Sequence, residues 1–176
     1  MKWLKRILGL VVLLAAVLFG GGALLSPKFT VSRSVDIAAS ADKVYALVAS
    51  PRQWKLWSVW NQRDPAMQID YSGPDSGAGA VWSWKSASQG DGKMSFTAAE
   101  PGKRVLYDLY FPDFDTTSSG ELSFAAQGGL TRVTWVMNGD FGSNPLMRWM
   151  ALFADRMVGA DFDAALANLK AVAEKP

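Results

Sequence analysis

The longest uninterrupted apolar stretch of the chain lies at its N-terminus, where no charged residue occurs from Ile7 to Leu25. At a rise of 1.5 Å per residue, a helix of this length covers roughly 28 Å, close to the ~30 Å hydrocarbon core of a bilayer. The run therefore predicts a helix that crosses a membrane. Its weakest point is the triplet Gly20-Gly21-Gly22, because glycine lowers helix propensity near the outer end.

The residues before this segment indicate its orientation. Lys2, Lys5 and Arg6 precede it, and Trp3 stands where an interfacial aromatic residue is expected. Under the positive-inside rule, the N-terminus stays in the cytoplasm. The rest of the chain then lies outside, in a periplasmic or extracellular space.

A cleaved signal peptide is the alternative interpretation of the same segment. Gly21-Gly22-Ala23 offers small residues to a peptidase, although the run has no clear Ala-x-Ala site and continues through Leu25. Both interpretations export the rest of the chain. We expect residues 1–28 to form the transmembrane anchor (or signal peptide) and a linker, and residues 29–176 to form one domain.

The exported part opens with a strict alternation of apolar and polar residues from Phe29 to Ile37. This period of two predicts a strand with one face in the core and one in water. The exception is Arg33, which falls on the apolar face. Ser40 then has the character of an N-cap for a short helix that ends at Ser50-Pro51, and a tryptophan-rich segment follows.

From Met67 to Asn138, short alternating segments are separated by turns rich in Gly, Pro and Asp. This pattern predicts a meander of six further strands. The predicted strands are Met67–Tyr71, Ala80–Lys85, Lys93–Glu100, Arg104–Phe111, Ser118–Ala126 and Leu130–Asn138.

The last predicted element is a long helix that begins at the cap Asn144 and Pro145 and runs to about Ala173. An apolar stripe follows its length at steps of three and four residues. The stripe consists of Met147, Ala151, Ala154, Val158, Phe162, Ala165, Leu169 and Val172. Four residues widen it over the first three turns, namely Leu146, Met150, Phe153 and Met157. Gly159 indicates a bend or a close contact with the sheet.

These elements predict an α+β domain in which a curved antiparallel sheet of about seven strands wraps around the C-terminal helix. A sheet with one apolar face must bury that face, and the sequence offers one long amphipathic helix to cover it. A strongly twisted sheet curls around such a helix. Two short helices follow the first strand. Methionines on the helix tolerate an irregular or ligand-filled interior.

Composition removes several kinds of chemistry. The chain contains no His and no Cys, so it has no imidazole base, thiolate nucleophile, disulfide or zinc–thiolate site. Of 18 basic residues, three precede the apolar run, which leaves 15 against 16 acidic ones and about −1 for the exported part. That balance does not favour nucleic-acid binding. Asp113 and Asp115 fit a turn better than an acid–base or metal site. We expect no metal, no cofactor and no assignable catalytic residue.

Trp54, Trp57 and Trp60 form the densest aromatic cluster of the chain. Each indole has a large apolar area and one N–H that needs a partner when it is buried. The cluster therefore either plugs the core where the short helices close the sheet, or lines a pocket there. The same two interpretations apply to four aromatic residues of the strands, Trp82, Trp84, Tyr107 and Trp135.

Five segments, in order along the chain, resemble the START-type helix-grip superfamily (SRPBCC), and in particular its polyketide cyclase/dehydrase and lipid-transport branch. The segments are SRSVDIAASADKVYALVASPRQWKLWSVW, YSGPDSGAGAVWSW, VLYDLYF, TRVTWVMNG and RMVGADFDAALANLKAVAE. The resemblance covers Phe29 to Glu174. It implies the helix-grip fold and an apolar ligand such as a sterol, lipid or polyketide. It transfers no catalytic residue, because members of this superfamily differ in activity.

We predict a membrane-anchored, externally facing domain that binds an apolar small molecule, such as a lipid or related metabolite, between the sheet and the C-terminal helix. Its expected partners are that molecule and, through the N-terminal helix, the membrane; no nucleic acid is expected, and the sequence does not identify a protein partner. The predicted ligand-binding residues are Trp57, Trp60, Trp82, Trp84, Tyr107, Trp135, Met150, Phe153, Met157 and Arg33.

Other interpretations stay open. Arg33 neutralises an acidic headgroup, pairs with a carboxylate such as Asp140 or Asp161, or extends to solvent. An enzyme of the polyketide cyclase type would use Arg33 or Tyr107 with a carboxylate. A non-catalytic envelope module would instead have a collapsed cavity and an exposed apolar patch.

Overall fold

A computed structural model describes residues 2–175. Its first helix, α1 (Lys2–Leu24), is long and apolar enough to cross a membrane by length and composition, a criterion that a signal sequence also meets. The helix continues through the glycine triplet, with a π-helical turn at Val17–Gly21. The predicted weak point therefore does not end the helix.

Seven strands form one antiparallel sheet in the order β1-β7-β6-β5-β4-β3-β2. The strands are β1 (Lys28–Ile37), β2 (Gln68–Ser72), β3 (Val81–Lys85), β4 (Gly92–Glu100), β5 (Arg104–Phe111), β6 (Thr116–Gln127) and β7 (Leu130–Asp140). The first strand pairs with the last, from Lys28 opposite Asp140 to Ile37 opposite Thr131, while β2 to β7 form a meander. The predicted strands are confirmed to within two residues at each end.

Three helices complete the domain: α2 (Ala41–Ala49), α3 (Val59–Arg63) and α4 (Pro145–Ala173). A 3-10 segment (Pro51–Leu56) joins α2 to α3 and carries the first tryptophan of the cluster. The predicted caps are confirmed. The Ser40 side chain accepts a hydrogen bond from the Lys43 amide at 3.3 Å, and the Asn144 side chain accepts one from the Leu146 amide at 3.0 Å.

The core lies between the inner face of the sheet and the second half of α4. Phe162, Leu166 and Leu169 of α4 are buried there, together with strand residues such as Val31 and Val105. The sheet bends around this core, and a bulge between Phe96 and Ala98 of β4 adds to the curvature. This arrangement confirms the predicted sheet curved around a C-terminal helix.

The first half of α4 differs from the prediction. Leu146, Met150, Phe153 and Met157, expected to widen the inward stripe, are exposed to solvent. At about 100° of rotation per residue, these four side chains share one narrow stripe, roughly a third of a turn from the buried positions. The sheet covers only the stripe that Phe162 belongs to, so the other apolar stripe faces outward.

Candidate ligand-binding site

A cavity of about 190 Å³ lies between the inner face of the sheet and α4. The 3-10 segment and α3 cover it from the side. Its lining residues are Trp54, Ser58, Trp60, Asn61, Met67, Trp82, Trp84, Gln89, Met94, Tyr107, Leu109, Phe111, Trp135, Met137, Val158, Asp161 and Phe162. The deep wall is therefore mainly aromatic and aliphatic, as is usual for small-molecule sites.

Aromatic rings pack against one another to form the deepest part of the wall. Trp135 of β7 stacks on Phe162 of α4, with ring centroids 3.9 Å apart and planes 9° apart. Trp54 meets Trp135 edge-on at 5.6 Å and contacts Trp82 at 5.1 Å. Such pairs favour defined relative orientations, so each ring of this wall is held by its neighbours.

The indole N–H groups of the tryptophan cluster hold the 3-10 segment against α2. Trp54 Nε1 donates to the Val48 carbonyl at 2.8 Å, and Trp57 Nε1 donates to the Leu47 carbonyl at 3.2 Å. Both carbonyls belong to the last turn of α2, where backbone oxygens lack helical partners. These two tryptophans thus cap a helix, which gives the first of them a fixed place in the cavity wall.

Two hydroxyl groups interrupt the apolar wall. Tyr107 Oη accepts a hydrogen bond from Trp135 Nε1 at 2.7 Å. Burial raises the pKa of the Tyr107 phenol, so the group stays neutral. Ser58, which is 2% exposed, also lines the cavity. Within residues 2–175, neither side-chain hydroxyl has an acceptor for its own hydrogen.

The rim of the cavity is more polar and partly exposed. Asp161 of α4 pairs with Arg63 of α3 across one side of the rim, and this hydrogen bond raises the pKa of the Arg63 guanidinium. On another side, Ser86 Oγ donates to Asp64 Oδ2 at 2.6 Å, which ties the β3–β4 loop to the end of α3. These links fix the elements that surround the opening.

Arg33 lies outside the cavity, although it occupies the apolar face of β1. Its Nη1 is 2.8 Å from Asp155 Oδ1, and its Nε is 3.1 Å from Asp163 Oδ2, so it joins β1 to α4. The partners differ from Asp140 and Asp161, which the sequence suggested. Arg33 holds the pKa of the Asp155 carboxyl below its usual value.

Gly159 makes this bridge between strand and helix possible. A Cβ atom at that position would overlap the Arg33 guanidinium, so a glycine lets the side chain pass close to the helix backbone. The expected close contact between Gly159 and the sheet is thus with a side chain of β1. This geometry directs the charge of Arg33 to α4 and away from the cavity.

The structure brings five of the predicted site residues together in the cavity wall: Trp60, Trp82, Trp84, Tyr107 and Trp135. Trp57 is fully buried behind the wall. The three predicted residues of the first half of α4, Met150, Phe153 and Met157, lie on its outer face.

Other lining residues were not predicted. Leu109, Phe111 and Met137 share strand faces with Tyr107 and Trp135, so the period of two would have identified them. Ser58, Asn61 and Gln89 carry no such signal, because their placement depends on how α3 and the loops pack against the sheet.

A curved seven-stranded antiparallel sheet, packed on a long C-terminal helix around an apolar cavity, defines a helix-grip protein. Comparison of the sequence with protein-family models leads to the same class of protein. The chain belongs to the polyketide cyclase / dehydrase and lipid transport family, whose model matches residues 28–174. A search of curated proteins found no match.

Solved structures share this fold at low sequence identity. Protein CV1439 from Chromobacterium violaceum is 16% identical with a TM-score of 0.62, over 84% of this chain and 99% of that one. The di-domain ARO/CYC BexL of the BE-7585A biosynthetic pathway is 18% identical with a TM-score of 0.62, over 99% of this chain and 61% of its own. A point mutant of norcoclaurine synthase from Thalictrum flavum, in complex with a transition-state analogue, is 11% identical with a TM-score of 0.62. The match covers 84% of this chain and 95% of that one. At these identities the likeness shows a common fold alone.

Proposed function

We propose that the protein binds a small apolar molecule in the cavity between the sheet and α4. The observation that carries this proposal is a cavity of about 190 Å³ whose deep wall is built from packed aromatic rings. The family to which the chain belongs includes lipid transport, which supports a hydrophobic ligand. In this account the aromatic wall disfavours water in the cavity, and the ligand occupies that space.

The size of the cavity limits the part of the ligand that is enclosed. An apolar cavity of ~150 Å³ holds a benzene molecule, and pockets for drug-sized ligands are usually ~300–1,000 Å³. The cavity of this protein therefore suits one small ring system or a short chain. A longer molecule, such as a lipid with two acyl chains, would have to extend through the rim.

The two buried hydroxyls specify a further property of the ligand. Trp135 already donates to the Tyr107 oxygen, and Tyr107 lines the cavity, so we infer that its O–H donates to a bound ligand. Ser58 adds a second group that both donates and accepts. We therefore infer an apolar ligand with an oxygen atom at its buried end, where a hydrogen bond offsets the cost of desolvation.

The polar groups favour binding over catalysis. The carboxylate in the cavity lining is Asp161, which lies at the rim and is paired with Arg63. Arg33, the other candidate for chemistry, bonds to α4 outside the cavity. An acid–base reaction needs a proton donor and acceptor that both reach the reacting atoms. Tyr107 has no such carboxylate partner.

We also propose that α1 is a retained anchor, that residues 1–28 form this anchor and its linker, and that residues 29–176 form the exported domain. Trp149 Nε1 donates to the Leu18 carbonyl at 2.9 Å, and Arg148 Nη1 donates to the Ala23 carbonyl at 3.0 Å. Cleavage near the end of α1 would remove these partners from α4. The basic residues before the apolar run support an N-terminus in the cytoplasm and a domain outside.

Photolabelling of the full chain in lipid nanodiscs tests the cavity as the binding site. The probe is a naphthalene that carries a small diazirine group, because its two rings match the enclosed volume. We expect it to label peptides that contain Met94 of β4 and Met137 of β7, which line the cavity. Val158→Phe, which adds volume at the rim, should reduce this labelling several-fold.

Leu152→Phe is the matched control, because it makes a similar change on the same helix at an exposed position outside the cavity. Labelling in this variant should equal that of the wild type. Labelling confined to α1 would show that the probe enters the bilayer and not the cavity. Labelling of the Met94 and Met137 peptides that Val158→Phe leaves as strong as Leu152→Phe does would contradict the cavity as the binding site.

A further inference from the structure

The first half of α4 presents an apolar surface that no part of residues 2–175 covers. Leu146, Met150, Phe153 and Met157 form this surface, which we call the α4 apolar stripe, and each is between 37% and 56% exposed. They fall on one side of the helix at steps of three and four. An exposed helical face without charge is a contact surface for an apolar partner or a membrane.

The beginning of α4 is joined to the last turns of α1. Gly22 is buried there, and a Cβ atom on it would overlap the Pro145 carbonyl oxygen, so the two helices touch at backbone distance. Trp149 reaches further back along α1 and donates to the Leu18 carbonyl. The stripe thus starts beside a helix that has the length and composition of a membrane span.

These contacts set the direction of α4 relative to α1. The Pro145 carbonyl lies against Gly22, whereas Trp149, four residues further along α4, lies against Gly21 and donates to the Leu18 carbonyl. The start of α4 therefore runs back along α1 and not outward past the end of the apolar run at Leu25. Gly22 lies three residues before Leu25, about 4.5 Å along the helix axis, so the stripe begins near the outer boundary of the apolar run. The headgroup layer on each side of a bilayer is roughly 5–7 Å thick.

We propose that the α4 apolar stripe lies in the outer interface of the bilayer that α1 crosses, and that it holds the cavity rim at the headgroup layer. This inference rests on the proposed retention of α1 as an anchor. A lipid surface is the occupant that fits, because the span beside the stripe already requires one. Arg156 is exposed next to the stripe and has the length to reach lipid phosphates.

The position of the rim gives this arrangement a role in ligand exchange. Asp161 on the rim follows Met157 by one helical turn, and Val158 on the rim directly adjoins it. A molecule dissolved in the outer leaflet would therefore meet the opening within a few ångströms of the acyl chains. It would pass between bilayer and cavity without crossing bulk water, which is unfavourable for an apolar molecule.

The chain contains no cysteine, so a single introduced cysteine is the only thiol that a fluorophore can label. Met150→Cys and Phe153→Cys report on the stripe. Leu130→Cys, at the first residue of β7, is the matched control, because Leu130 is 41% exposed, within the same range, and lies at the end of the sheet away from α1. The full-length variants carry an NBD fluorophore and are reconstituted in vesicles of phosphatidylcholine and phosphatidylglycerol.

We expect lipids with a spin label near the headgroup to quench NBD at positions 150 and 153 several-fold more than at position 130. Aqueous iodide should quench NBD more at position 130 than at positions 150 and 153. Equal behaviour at all three positions would overturn the proposal. Protection from both quenchers that is lost on dilution into more lipid would also overturn it, because a second copy of the chain would then cover the stripe.

The outcome of the quenching experiment can be distinguished from the outcome of the ligand-binding experiment. Lipid quenching needs no ligand, so a stripe in the interface together with absent cavity labelling would refute only ligand binding. Retention of α1 is checked by the intact mass of the protein isolated from membranes. A mass that lacks α1 would overturn the membrane-facing stripe and leave the cavity proposal unaffected.

Discussion

At the scale of single residues, the pair Tyr107–Trp135 shows how the site keeps polar atoms inside an apolar wall. The Tyr107 ring on β5 passes over Gly120 of β6, where a Cβ atom would overlap the ring, and its hydroxyl reaches Trp135 of β7. Strand periodicity placed both aromatic residues on the inner face. It did not predict their hydrogen bond, because the bond depends on the missing side chain at Gly120.

Tyr107→Phe removes the acceptor for the buried Trp135 N–H. We expect the free energy of unfolding at neutral pH to fall by about 1–3 kcal/mol. Burial raises the pKa of the Tyr107 phenol above the ordinary value of about 10, so above pH 10 the unfolded chain loses this proton while the folded protein keeps it. Wild-type stability should then fall with pH more steeply than that of the variant, by up to ~1.4 kcal/mol per pH unit.

Urea unfolding followed by far-ultraviolet circular dichroism, from pH 7 to 11.5, measures this difference. The gap between wild type and variant should shrink above pH 10. Tyr45→Phe, which removes a phenol outside the cavity wall, is the control. A gap that stays constant with pH would contradict the account of Tyr107 as a buried neutral donor.

At the scale of elements, α4 carries two apolar stripes, and the sequence could not tell which one the sheet covers. Both have helical spacing, and each is apolar enough to be buried. The answer depends on tertiary packing: the sheet covers the stripe that contains Phe162, while α1 meets the start of the other at Trp149. The sequence likewise indicates only the low helix propensity of the glycine triplet, whereas in the structure Gly22 lies against the Pro145 carbonyl of α4.

Gly22→Ala tests the contact between α1 and α4, and Gly20→Ala is its matched control. A Cβ atom at Gly22 would overlap a backbone oxygen that cannot move independently, whereas nothing lies within 4 Å of one at Gly20. We expect faster hydrogen–deuterium exchange over residues 146–153 in Gly22→Ala and wild-type exchange in Gly20→Ala. Equal exchange in both variants would mean that this contact does not hold the two helices together.

At the scale of the whole molecule, the sequence predicted the fold because each element has its own periodicity and the elements occur in a recognisable order. It did not predict the cavity. The volume that remains between sheet and helix is a small difference between large packed volumes. Side chains from four strands, the 3-10 segment, α3, α4 and the connecting loops contribute to it. Gln89, for example, lines the cavity from the loop between β3 and β4, whose geometry no local pattern encodes.

The central claim is that this volume holds a ligand. An experimental density map of the full chain, purified with its native lipids, tests it most directly. The account predicts continuous non-protein density against Trp60, Trp135 and Phe162, with a polar atom within hydrogen-bonding distance of the Tyr107 hydroxyl. A collapsed interior, in which these side chains fill the space themselves, would contradict it.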